Sequence, residues 1–169
     1  MRKNHTKRLT YITMLSAMAI VINIFESTYL PIFPLGIRFG LANIIALITI
    51  ELFDVKEMIT VNMMRVIIGN LLRGLIFGQT FWIAFSGVVL SSIVLIICKK
   101  LIKLPILSTS MLSAIGHSTG QVLMVMLFYK QTGMIAVLPY LFLSAIPTGL
   151  LTGFTADSAL RLLKKNVKI

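Results

Sequence analysis

MRKNHTKR-LTYITMLSAMAIVINIF, residues 1–25, is the stretch on which the reading of this chain turns. A basic octapeptide carrying Arg2, Lys3, Lys7 and Arg8 runs into an apolar segment, 9–25. Two things share that signature: a cleaved signal peptide and a first membrane-spanning helix. The small-residue pattern Ala17-Met18-Ala19 resembles a cleavage site, but it falls inside the apolar run, and further apolar segments follow to the end of the chain. The segment therefore reads as a helix that stays in the membrane.

Working outward, five more segments approach the roughly 20 apolar residues that a span requires. They are 37–53, 58–77, 81–98, 107–129 and 135–156. The connections between them are polar or broken. Glu26 to Gly36 contains Pro31 and Pro34, and Asp54-Val55-Lys56-Glu57 closes the second span. Gly78-Gln79-Thr80 makes a turn, Lys99, Lys100 and Lys103 precede Pro105, and Lys130-Gln131-Thr132-Gly133 ends the fifth span. An amphipathic tail with Arg161, Lys164, Lys165 and Lys168 follows the sixth. The expectation is a single transmembrane domain over 1–169: an all-α, polytopic bundle of six transmembrane helices.

Composition agrees. Of 169 residues, 57% are apolar and 12% charged, against about 25% charged in an average soluble domain. The mean hydropathy is +0.96. A bilayer replaces water as the solvent for such outer surfaces. The net charge of +11 would suggest nucleic acid in a soluble protein. Here most of the cations sit at the ends of apolar segments, where they set orientation and touch anionic headgroups. No basic face interleaved with aromatics exists, so nucleic acid is discarded and the lipid bilayer is the expected partner. With the N-terminus inside, twelve of the sixteen Lys and Arg residues fall on inner segments. An even number of spans then places both termini in the cytoplasm, in agreement with the positive-inside rule. The expected location is the cell membrane.

Ionisable groups within spans need a reason, since each costs about 2.5–3.5 kcal/mol to insert at a helix centre. Asn62, Arg65, Gly69 and Arg73 recur at i, i+3, i+7 and i+11, one helical stripe that must face the bundle interior. His117 and Gln121 are four apart and share a face, with Gly116, Ser118 and Gly120 keeping the surroundings small. Arg38 lies near the outer end of the second span and Asn43 further in; Asn23 and Glu26 close the first. The pattern predicts an outward-opening cavity lined by Arg38, Arg73, Gln121 and His117 with Arg65 at its floor. Arginine's planar fork suits a small, polar, anionic ligand. The structural alternative is that Arg65 and Arg73 pair with carboxylates such as Glu26 and Glu51 and hold helices together. Four Gly-xxx-Gly pairs, Gly36/Gly40, Gly74/Gly78, Gly116/Gly120 and Gly149/Gly153, suggest close helix packing.

Motifs for chemistry are missing. There is no Walker A loop and no Gly-x-Ser-x-Gly elbow. Asp54 and Asp157 are the only aspartates, so no aspartate-rich cluster can hold the magnesium a prenyl diphosphate needs. Cys98 is the lone cysteine, and His117 has no ligand-spaced neighbours, so neither a disulfide nor a metal site is expected. No cofactor is expected, and catalysis by this chain alone is not.

Three runs carry a family likeness: Leu35-Gly36-Ile37-Arg38-Phe39-Gly40-Leu41-Ala42-Asn43, Arg65-Val66-Ile67-Ile68-Gly69-Asn70-Leu71-Leu72, and Gly116-His117-Ser118-Thr119-Gly120-Gln121. They resemble the Gx transporter family, also labelled heptaprenyl diphosphate synthase component I, over about residues 9–157. That family is similar to the S components of energy-coupling factor transporters. The resemblance implies a substrate-capture subunit without its own ATPase. It would act with a transmembrane coupling subunit and cytoplasmic ATPase subunits, and bind a small-molecule ligand through Arg38, Asn43, Arg65, Asn70, Arg73, His117 and Gln121. S components dock their coupling subunit through an Ala-xxx-Ala pattern on the first helix. Thr13, Ser16, Ala17 and Ala19 supply small residues here, without the strict pattern. The second label implies instead a membrane component of a heptaprenyl diphosphate synthase, with a link to isoprenoid or quinone metabolism. A third reading is a membrane scaffold for an electron-transfer or lipid-synthesis complex.

Overall fold

The computed structural model describes residues 2–29 and 40–166. Among them the chain is all helical: α1 (Arg2–Tyr29), α2 (Asn43–Leu52), α3 (Val55–Leu72), α4 (Gln79–Ile96), α5 (Ile106–Tyr129) and α6 (Leu138–Asn166). A π-helical turn, Ile97–Ile102, extends α4, and a 3-10 turn, Thr132–Val137, leads into α6. Four stretches are long and apolar enough to cross a membrane: Thr6–Tyr29, Gln79–Ile102, Ile106–Tyr129 and Thr132–Leu163.

The second and third expected spans differ from the rest. Residues 40–42 are not helical, so α2 begins at Asn43 rather than at 37. Its ten residues rise about 15 Å, half of a hydrocarbon core about 30 Å thick. Helix α3 runs 55–72 rather than 58–77, and Lys56, Glu57 and Arg65 lower its hydropathy. Arg73 caps it at the C-terminus instead of lying within it. Asp54 is the reason α3 starts early: its carboxylate accepts the Val55 N–H at 2.8 Å, satisfying a donor that the first turn leaves unpaired. The basic tail is no separate element, since α6 continues unbroken through Arg161 to Asn166.

Glycine sets the helix spacing on one side of the bundle. A Cβ on Gly120 would lie 2.5 Å from the Ser86 carbonyl oxygen, so α4 and α5 touch backbone to backbone there. Gly149 and Gly153 do the same for α6, against Met111 and Ser110 of α5. Of the four Gly-xxx-Gly pairs, these two work as expected. Gly74 and Gly78 lie in the turn between α3 and α4, Gly74 with a φ of +67°. Gly36 lies outside the described residues.

The outside is apolar and the inside is mixed. Leu9, Met14, Val21, Leu143, Leu151 and Phe154 are exposed, while Arg65, Gln121 and Glu26 are at most 1% exposed. That inversion is what a hydrocarbon solvent selects.

Charge is sorted by end. Arg8 of α1 pairs with Glu57 of α3 at 2.5 Å, Lys100 with Asp54 at 2.9 Å, and Lys99 with Glu51. These pairs gather the start of α1, the α2–α3 corner and the end of α4 at one pole. Glu51 is therefore engaged by Lys99 and not by an arginine of α3. At the opposite pole the Tyr129 hydroxyl donates to Gln79 Oε1 at 3.1 Å, near Trp82 and Tyr140 at the starts of α4 and α6. Tyr and Trp prefer the membrane interface, and aromatics at this pole suit one.

Two measurements check this packing. Gly120→Ala is expected to lower stability by about 1–3 kcal/mol through overpacking, read as a thermal shift in detergent. Gly133→Ala, with nothing within 4 Å of the added carbon, should stay within about 0.5 kcal/mol. The Asp54 carboxyl is held below its ordinary value of 3.8 by the Lys100 hydrogen bond and then by the Val55 N–H. Its contribution is complete above that value and is lost as pH falls through the lower folded value. Asp54→Asn should flatten the melting temperature across that acid window.

Candidate functional site

Arg65 sits ten residues into α3, about 15 Å along its axis, and is 1% exposed. Its Nη2 donates to Asn43 Oδ1 of α2 at 3.2 Å. Asn43 can occupy that position because the chain enters α2 through Gly40, whose φ is +80°, a conformation that L side chains seldom adopt. The Gly40 N–H donates to Glu26 Oε1 of α1 at 2.6 Å. Helices α1, α2 and α3 thus converge through polar contacts at one level.

Helices α4 and α5 close the other wall. A Cβ on Gly87 would lie 3.0 Å from His117 Cε1 and 2.8 Å from Gln121 Cγ. One on Gly40 would lie 3.2 Å from His117 Cδ2. The imidazole is therefore seated between Gly87 of α4 and Gly40 ahead of α2, and substitution at either would displace it. Together Asn23, Glu26, Gly40, Ala42, Arg65, Ala84, Val88, His117 and Gln121 line a cavity. The space open to a water-sized sphere is about 10 Å³, room for about one water. A larger ligand requires the walls to move.

Of the residues singled out from sequence, Arg65, His117 and Gln121 line the cavity, and Asn43 joins through Arg65. Asn70 is fully buried, but its amide donates to Val66 O at 2.7 Å, and it does not line the cavity. Arg73 is half-buried at the end of α3 and is not a lining residue either. Arg38 lies outside the described residues. Asn23, Glu26 and Gly40 are lining residues that the sequence reading left outside the site. The signal for the first two was present: Ser16, Ala19, Asn23 and Glu26 recur at i, i+3, i+7 and i+10, and they form the buried stripe of α1. Ser16 and Ala19 therefore face inward, and only Thr13 and Ala17 of the four small residues are open on the helix surface.

The cavity brings one carboxylate, Glu26, and one guanidinium, Arg65, to the same space. That balance differs from the arginine-dominated site expected from the spacing alone. It offers donors and acceptors to a polar ligand and no cluster of carboxylates for magnesium. Among the described residues, no group of three His, Cys, Asp or Glu side chains is placed to hold a metal.

A family profile described as heptaprenyl diphosphate synthase component I matches residues 15–159. The chain belongs to that family. The match spans α1 to the last turns of α6 and includes every cavity-lining residue. No curated protein and no solved structure matches the chain.

Arg65→Ala would leave the buried Asn43 Oδ1 acceptor without its partner, at a cost of about 1–3 kcal/mol. Arg73→Ala, in a half-buried helix cap without an ion pair, should fall within about 0.5 kcal/mol. Thermal denaturation of the two variants side by side reads the difference.

Proposed function

We propose that this chain is the membrane-embedded, non-catalytic component of a prenyl diphosphate synthase system, and that its polar cavity receives the head of a small polar ligand inside an apolar bundle. The observation that carries this reading is the convergence of Arg65, Glu26, Asn43, His117 and Gln121 at one level, within a chain whose outer faces are apolar. An amphiphile has matching requirements: hydrogen bonds for its head, hydrocarbon for its tail. Asp54 and Asp157 lie toward the charged pole, remote from the cavity, so magnesium-dependent bond formation belongs to a partner. All six helices enter the membrane in this reading. The pole rich in Lys and Arg, with both termini, faces the cytoplasm, where a soluble partner would meet it.

One observation favours a second reading, the substrate-capture subunit of an energy-coupling factor type transporter. The cavity is lined from the far end of α1, the middle of α3 and the first half of α4, away from the charged pole. Under the positive-inside orientation that side faces outward, which suits capture of an external solute. Its partners would be a transmembrane coupling subunit, met by the α1 surface at Thr13 and Ala17, and cytoplasmic ATPases.

Affinity capture of the tagged chain from native membranes, with mass spectrometry of the retained proteins, separates the two. A soluble prenyl synthase without ATPases supports the first reading. ATPases with a second membrane protein and no synthase replace it with the second. On either reading Arg65→Ala should weaken binding of the retained small molecule about tenfold or more, the loss of a charge-assisted hydrogen bond worth about 1.5–3 kcal/mol.

A further inference from the structure

Enclosed polar groups are satisfied unevenly across the bundle. On the α4–α5–α6 side several buried hydroxyls have partners. Ser86 Oγ donates to Gly120 O at 2.6 Å, Ser110 and Thr152 share a hydrogen bond of 2.8 Å, and Thr109 donates to Pro105 O at 2.9 Å. On the α1–α3 side Ser16 Oγ and Asn62 Oδ1 are among the fully enclosed side-chain atoms with no protein partner. The two residues are 3% and 0% exposed.

The helix register puts these two at the same height. Helices α1 and α3 run parallel, because Arg8 pairs with Glu57 near their starts and Asn23 lies against Gly69 further along. Ser16 is one heptad before Asn23, and Asn62 is one heptad before Gly69. A heptad is nearly two full turns, so both residues return to the faces that meet higher up. Ser16 belongs to the same buried stripe of α1 as Asn23 and Glu26, and Asn62 lies one turn below Arg65. The Asn62 amide nitrogen is already committed, donating to Ser92 Oγ at 2.8 Å and to Met58 Sδ at 3.2 Å. Reversing the amide would exchange the two atoms and still leave one of them over.

In a bilayer an unmet polar atom costs several kcal/mol, because hydrocarbon offers no substitute bond. A hydroxyl and an amide oxygen, each with spare valence and no nearby carboxylate on this face, suit a neutral donor and acceptor. Arg65 one turn away disfavours a cation. We infer that the polar cavity continues past Arg65 along the α1–α3 seam into a second, water-holding site between Ser16 and Asn62. The seam is then hydrated from the cavity toward the charged pole. The inference goes beyond the proposed function and does not depend on the identity of the ligand.

Cysteine accessibility tests it in a Cys98→Ala background, in full-length protein reconstituted in vesicles. The probe is a small, water-soluble methanethiosulfonate. Ser16→Cys should react about tenfold or more faster than Leu95→Cys, since only a hydrated thiol ionises readily; Leu95 is 0% exposed in the apolar core. Asn62→Cys reads the same site from the other helix if the first variant fails to fold, as judged by monodisperse elution in detergent. Reaction of either folded variant above the Leu95→Cys rate supports the water-holding seam. Rates equal to that of Leu95→Cys overturn it, whether or not Asn23→Cys in the cavity reacts.

Discussion

A guanidinium fixed at mid-height in a helix of an apolar bundle constrains everything around it. Arg65 cannot face hydrocarbon, so α3 must present that side to other helices, and those helices must present polar groups in return. Asn43, Glu26, His117 and Gln121 come from three different helices to the cavity that Arg65 lines. The glycines follow from the same demand. Gly40, Gly69 and Gly87 remove side chains where Asn23, His117 and Gln121 need the space. The early break before α2 follows too, since the Gly40 N–H is left to bond Glu26 only because residues 40–42 are not helical.

The second organising force is the pairing of charges at one pole. Glu51, Asp54 and Glu57 all lie near the α2–α3 corner, and each is met by a cation from another helix. The Lys100–Asp54 pair is exposed, and such a pair contributes little individually. The value of these pairs is positional. They tie α1 and the end of α4 to a corner whose two helices are the least able to cross a bilayer alone, one by length and the other by charge. Helices α5 and α6 need no such ties, because glycine contacts bring their backbones together directly.

Much of this was legible in the sequence, and the failures have identifiable causes. Long apolar runs mark α1, α4, α5 and α6 because nothing interrupts their hydropathy. The α2 boundary was missed because Phe39 to Ala42 is apolar enough to continue a span, while Gly40 turns the chain for a tertiary reason. The end of α3 was missed for a similar reason: apart from Arg73, Leu71 to Phe77 is apolar enough to continue a span, and the turn at Gly74 interrupts it. Arg65, His117 and Gln121 were legible as inward-facing by helical spacing. Spacing along one helix does not report which stripes meet across helices, so Glu26 and Asn23 were read as boundary residues and Arg73 as a cavity residue. The structure places the first two on the cavity and the third at a helix cap.

The charge of the site bears on the ligand. A cavity lined by Arg65 alone would select an anion, and a bare diphosphate would then find a single strong partner. Glu26 shares the same wall and repels a second negative charge brought near it. A doubly charged head therefore gains from Arg65 and loses to Glu26. The hydrogen bond from the Gly40 N–H holds the Glu26 carboxyl where it is. The described cavity thus favours a head that offers a donor to Glu26 and an acceptor to Arg65 over one that carries only negative charge.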